Sequence, residues 1–272
     1  MNKEILNRKG ARKVQDVPEE VLKYLNEGAL ETVNLTEWLA IDHAKLVKAV
    51  FPKFGVEEQT IAQISKAILS QKKPTAMSTT KLVGTLLYQQ YSNSKIFEAL
   101  IDQVSNHTSD SVRCYATYLI GLDDKLSIKE KLEQSRKLIA DHHFGVREVV
   151  WMALRPEIEN NLESALAILN TWTSDPDENI RRFTTEATRP RGVWCKHIDQ
   201  LKEQPELALP ILENLKSDKS KYVQDSVGNW LNDASKTRPD FVQELCEKWQ
   251  KESPTKETAK IIKRARRTLD KK

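Results

Sequence analysis

Sulfur, glycine and proline are all scarce in this chain, and each scarcity removes a class of protein. The three cysteines, Cys114, Cys195 and Cys246, are odd in number and far apart, with no CxxC pair. That excludes a disulfide framework and argues against a zinc site. Eight glycines and ten prolines in 272 residues leave few tight turns, which disfavours a β-sandwich or barrel. No apolar run approaches the ~20 residues needed to span a bilayer. The N-terminus, MNKEILNRKGARK, lacks the apolar centre of a signal peptide. The expectation is a cytoplasmic protein with no membrane partner. A large excess of one charge is also missing, since the net charge is only +4. That charge is uneven: residues 256–272 hold eight Lys/Arg against two acids, so this segment carries +6 and the rest −2. A uniformly basic protein is excluded. A local basic surface is not, nor is a merely solvated helix face.

What is abundant is Leu, Ala, Glu and Lys, all good helix formers. Four segments align: SDSVRCYATYLIG from Ser109, HFGVREVVWMALR from His143, DENIRRFTTEATR from Asp177 and KYVQDSVGNWLND from Lys221. Their β-branched anchors, Val112, Val146, Ile180 and Val223, are 34, 34 and 43 residues apart. Four and eight positions further come Ala116 and Ile120, Val150 and Leu154, Thr184 and Thr188, and Val227 and Leu231. That spacing puts each pair on one face of a helix. Three pairs are apolar and the third is polar. Amphipathic stretches lie between the anchors, at 128–140, 161–172 and 207–215. A helical pair repeated at this length predicts an all-α, α-solenoid fold of HEAT-like repeats. The N-terminal third predicts helices over 18–26, 35–51, 59–70 and 79–90, with a loop over 71–80. Leu35 reads as a hydrophobic staple and Thr36 as an N-cap. A single repeat domain over 1–272 is expected, with 1–13 flexible and 109–269 the clearest repeat array.

The densest chemistry lies in IRRFTTEATRPRGVW, Ile180–Trp194, with Arg181, Arg182, Glu186, Arg189, Arg191 and Trp194. Arginines clustered near a helix end form a donor set for phosphates. With Glu186 they equally suit a salt-bridge ladder between repeats. Pro190 predicts a helix stop just after Arg189. Trp151 and Trp230 fall on repeat helices, where a core role competes with base stacking. Asp233 suits a reactive carboxylate, a turn cap before Ser235, or a partner for Lys236. His142 and His143 are adjacent, so they point in different directions on a helix. No third ligand is evident, and no metal is expected.

ENIRRFTTEATRPRGVW resembles a segment of the AlkC/AlkD superfamily of bacterial DNA alkylation repair glycosylases, which in the AlkC branch reads close to VRRLASEGxRPRLPW. VGNWLNDASKTRPDFV, Val227–Val242, is similar to that branch's NHLNDIAKxHPD, and IIKRARRTL, Ile261–Leu269, to the final repeat helix. The likeness covers roughly 109–269. It departs at FGVR, which His143 precedes where the AlkC pattern has an acid.

The resemblance implies a right-handed superhelix with a basic concave face that holds duplex DNA carrying alkylated bases. It implies a monomer without metal or organic cofactor, associated with the bacterial nucleoid through DNA. The activity it implies is removal of cationic N3- and N7-alkylated purines. Glu186, Arg189 and Trp194 match the active-site segment, Asp233 matches the second functional carboxylate, and His143 stands at the departed position. Arg113, Arg147, Arg181, Arg182, Arg189, Arg191 and Lys236 become candidate DNA contacts. The His143 departure keeps open a non-catalytic module that binds damaged or branched DNA. The modest net charge keeps open a protein-binding scaffold.

Overall fold

Local capping chemistry decides where the helices begin. Asn34 accepts from the Glu37 amide at 2.9 Å, so the first helix of the 35–51 stretch starts at Leu35 under Asn34 rather than under Thr36. Asp42 then caps the amides of Ala44 and Lys45, each at 3.1 Å, and splits the expected single helix in two. A reciprocal Thr75–Ser78 capping box starts a helix at Ala76, inside the stretch that reads as a loop. Ser127 and Glu130 form a second box.

The structure, a computed structural model, describes residues 3–271. Residues 1 and 2 of the segment expected to be flexible therefore lie outside the described residues. Seventeen α-helices and no strands are present among the described residues. The described residues form two compact units, residues 3–125 with 141–153, and residues 126–140 with 154–271.

The first unit contains α1 (Lys3–Leu6), α2 (Glu19–Asn26), α3 (Leu35–Leu39), α4 (His43–Val50), α5 (Glu58–Leu69), α6 (Ala76–Tyr91), α7 (Phe97–Ser105) and α8 (Asp110–Gly121). Its centre is α8, every residue of which is buried, packed between α6 and α7. Gly84 lets α6 approach closely: a Cβ there would fall 2.5 Å from Tyr118 Cβ and 3.2 Å from the Tyr115 carbonyl. The N-terminal segment is tied down by Arg8, which donates from Nε and Nη2 to Glu37, at 2.8 and 2.6 Å.

The second unit contains α9 (Ile128–Ile139), α11 (Leu162–Thr171), α12 (Glu178–Glu186), α13 (Asp199–Glu203), α14 (Leu209–Leu215), α15 (Lys221–Ala234), α16 (Pro239–Glu252) and α17 (Lys256–Ala265). Helix α10 (Phe144–Asn160) contributes residues to both units. Here α15 is the central helix, packed between α12 and α17. Trp230 and Trp249 are fully buried, and Trp230 donates to the Thr188 carbonyl at 2.9 Å.

The four β-branched anchors and the apolar partners read from the repeats are all buried. Thr184 and Thr188, the polar pair, are buried too. Their hydroxyls donate to the Arg181 and Thr184 carbonyls at 2.7 and 2.8 Å, so the helix itself satisfies them. No described helix is long and apolar enough to cross a membrane.

Candidate nucleic-acid interface

The repeat position one past each anchor has a shared structural task. Arg113 donates from Nη1 to the carbonyls of His107 and Thr108, both at 2.9 Å. Arg147 reaches Asp141 and His142 carbonyls at 2.7 and 2.8 Å, and Arg181 reaches Asp175 and Pro176 at 2.8 and 3.1 Å. Gln224 does the same at Asp218 and Lys219, at 2.8 and 3.4 Å. Each side chain closes the turn that precedes its own helix. Arg113 also pairs with Asp141 and Glu31, at 2.7 and 2.6 Å, and Arg181 with Asp218 at 2.6 Å. Burial opposes the Arg113 charge, but its bonds to these carboxylates more than offset that and raise its pKa. Hydrogen bonding to Asp218 raises that of Arg181. Each of these arginines thus gives donors to the turn before its own helix.

His143 belongs to the first unit. Its Nε2 lies 2.8 Å from the Thr32 carbonyl and 3.1 Å from the Thr32 hydroxyl, and its Nδ1 accepts from the Gly145 amide at 3.1 Å. Asp110, which accepts from Thr32, sits 3.6 Å from Nδ1. The imidazole is buried and fully occupied by its own unit.

In the second unit the structure brings Glu186, Arg189 and Asp233 together. Glu186 is the last residue of α12 and Asp233 the next-to-last of α15. They are 4% and 3% exposed. Arg189 bridges them, donating to Glu186 Oε1 at 3.0 Å and to Asp233 Oδ2 through Nε and Nη2 at 2.8 and 2.7 Å. Glu186 Oε2 accepts from the Ser226 hydroxyl at 2.8 Å and lies 3.5 Å from Arg182. Burial alone would raise the Glu186 pKa. Arg182, Arg189 and Ser226 outweigh it and hold the carboxyl below its ordinary range, so it is ionised at neutral pH. Burial likewise opposes the charge of Arg189, and the two carboxylates overcome it. Arg182 lies 4.2 Å over the Tyr222 ring. Asp233 Oδ1 faces Lys236, whose Nζ donates to it at 3.0 Å from a side chain 40% exposed.

The segment after α12 leaves the fold's surface at Trp194. This tryptophan is 77% exposed and has φ 59, a left-handed conformation that side chains other than glycine rarely adopt. The other five tryptophans are buried. Val193 beside it is exposed, and Arg191 is half-buried with Nε lacking a hydrogen-bond partner.

A family profile described as DNA alkylation repair enzyme matches residues 39–268. The chain belongs to the DNA alkylation repair enzyme family. A curated relative is the uncharacterized protein YhaZ of Bacillus subtilis (strain 168), 43% identical over 120 residues. That match takes in 44% of this chain and only 33% of YhaZ. A structure of the Pseudomonas fluorescens alkylpurine DNA glycosylase AlkC, bound to DNA containing an abasic site analog, aligns with a TM-score of 0.67 at 24% identity. It covers 96% of this chain, while this chain spans 66% of AlkC, just under two thirds. AlkD2 from Streptococcus mutans aligns at 0.60 with 27% identity, over 77% of this chain and 97% of AlkD2. The smu.31 protein from Streptococcus mutans UA159 aligns at 0.51 with 27% identity, over 83% and 98% of the two chains. The fold class read from the repeats, an all-α solenoid of HEAT-like units, is the one these family structures share.

One residue that holds this segment escaped the sequence reading. Arg155, buried in α10, donates to three carbonyls around the Trp194 segment. A signal for it exists: Arg155–Pro156 and Arg189–Pro190 occupy the same register, nine and ten positions after successive anchors.

Proposed function

We propose that this chain is a DNA N-glycosylase that removes cationic N3- and N7-alkylated purines from duplex DNA. The observation that supports it best is the Glu186–Arg189–Asp233 cluster, on the same unit as the single exposed tryptophan. An alkylated purine carries positive charge, so its glycosidic bond is already weak. The protein then has to stabilise an oxocarbenium-like sugar and orient water, which a carboxylate does electrostatically. Asp233 is the candidate carboxylate. Arg189 fixes Oδ2, while Oδ1 is held only by the half-exposed Lys236. Transfer of Lys236 to a DNA phosphate frees Oδ1 for the sugar. Trp194 offers a ring face to a cationic base, worth about 0.5–2 kcal/mol. Arg191 supplies a further donor for phosphate.

A second reading has its own observation. Both carboxylates are already neutralised by Arg182, Arg189 and Lys236, an arrangement that suits a non-catalytic module binding damaged or branched DNA. Asp233→Asn separates the two. The glycosylase reading expects base release from N-methylated duplex to fall on the order of a hundredfold or more, the scale of a lost electrostatic stabiliser, with duplex affinity retained. Base release that is absent from the wild type, beside intact DNA binding, favours the module.

A further inference from the structure

Trp194 stands on a segment that one buried side chain holds. Arg155 is 2% exposed and belongs to the second unit. Its Nη1 donates to the Ala187 carbonyl at 2.9 Å and its Nε to the Lys196 carbonyl at 2.8 Å. Its Nη2 donates to the Arg189 carbonyl at 2.5 Å. These acceptors lie at both ends of the segment that carries Arg191, Val193 and Trp194. The Ile198 amide closes its base by donating to the Pro190 carbonyl at 3.1 Å. At the tip, a Cβ on Gly192 would fall 3.1 Å from Arg155 Cζ and 2.2 Å from Cys195 Sγ, so the guanidinium lies directly beneath the turn. One planar fork reaches three separate carbonyls, which the single ammonium of lysine cannot reproduce. A buried cation spent on neutral backbone oxygens is an expensive way to pin a surface loop. The loop it pins holds a tryptophan in a left-handed conformation, facing solvent.

We propose that Arg155 is a positioning residue for the DNA site: by fixing both ends of this loop it sets where Trp194 meets an alkylated base. This rests on the glycosylase reading above. Arg155 itself touches no substrate, so its effect passes through Trp194, and that makes the proposal testable by coupling.

The experiment compares wild type, Arg155→Lys, Trp194→Ala and the double variant. Single-turnover base release from N-methylated duplex is measured beside affinity for undamaged duplex, with thermal unfolding as the check on folding. Trp194→Ala should slow release about two- to thirtyfold, the range of one cation–π contact. Arg155→Lys should fall in the same range, with undamaged-duplex affinity nearly unchanged. In the Trp194→Ala background, Arg155→Lys should cost less than about twofold more, because coupled residues are not additive. Losses that multiply, or wild-type release from Arg155→Lys, would overturn the proposal. Should Arg155→Lys not fold, Gly192→Val, made in a Cys195→Ala background to remove the nearer sulfur, drives a branched side chain onto the guanidinium from outside. The same coupling to Trp194→Ala is then expected, and wild-type release would overturn it. Should the wild type release no base, the glycosylase reading fails on its own. Positioning is then read from duplex quenching of Trp194 fluorescence, which Arg155→Lys must diminish for the proposal to stand.

Discussion

Arg189 touches two carboxylates that water scarcely reaches, and that decides what its removal does. Arg189→Ala leaves Glu186 with Ser226 and the more distant Arg182, and Asp233 with Lys236 alone. Removing one partner from a buried ionic group typically costs about 3–5 kcal/mol. Chemical denaturation should show a loss near the lower end, since Lys236 remains. A change under 1 kcal/mol would mean that the cluster contributes little to folding. The sequence made this cluster legible through the set spacing of Glu186, Arg189 and the later Asp233, which a motif fixes without any knowledge of packing. Roles were harder to read than positions. Arg113, Arg147 and Arg181 look in sequence like phosphate donors, yet each also closes a turn through backbone carbonyls, and Arg113 and Arg181 pair with carboxylates as well. Side-chain charge is visible in a sequence, but the backbone groups that absorb it are not.

At the level of helices, the repeat register was legible because buried positions recur every 3.6 residues whatever the loops do. Ends were less so. Helix α12 stops at Glu186, four residues before Pro190, which has no amide to offer the Glu186 carbonyl, and Arg155 satisfies the Ala187 and Arg189 carbonyls beyond it. The 35–51 stretch is split because Asp42 caps a new helix, which apolar periodicity alone does not register. Close helix packing also escapes pattern reading, and Gly84 gives it a test. Alanine gains about 1 kcal/mol over glycine in a helix interior. Here its Cβ would meet Tyr118 Cβ at 2.5 Å, an atom next to the backbone that cannot swing away. Overpacking of this kind costs about 1–3 kcal/mol, so Gly84→Ala should lower Tm by a few degrees. A rise in Tm would contradict the close α6–α8 approach.

For the whole molecule, acid is the expected weak side. His43 is buried against Tyr115, and burial lowers its pKa from 6.5 to about 4. Below pH 6.5 the unfolded chain takes up a proton that the folded chain refuses. Stability is therefore fully present above that pH and is lost as pH falls toward 4, by about 3 kcal/mol from this group. Glu186, also held below its ordinary value, acts in the same direction at lower pH. Urea unfolding from pH 7 to 4 should show the decline, and His43→Asn should flatten its upper part. An unchanged slope would assign the loss elsewhere. The central claim is chemical, and one measurement reaches it directly: mass spectrometry of free bases released by the wild type from duplex DNA bearing 3-methyladenine and 7-methylguanine. The account predicts free methylated purine and a matching number of abasic sites. DNA bound at full occupancy with no purine set free would contradict it.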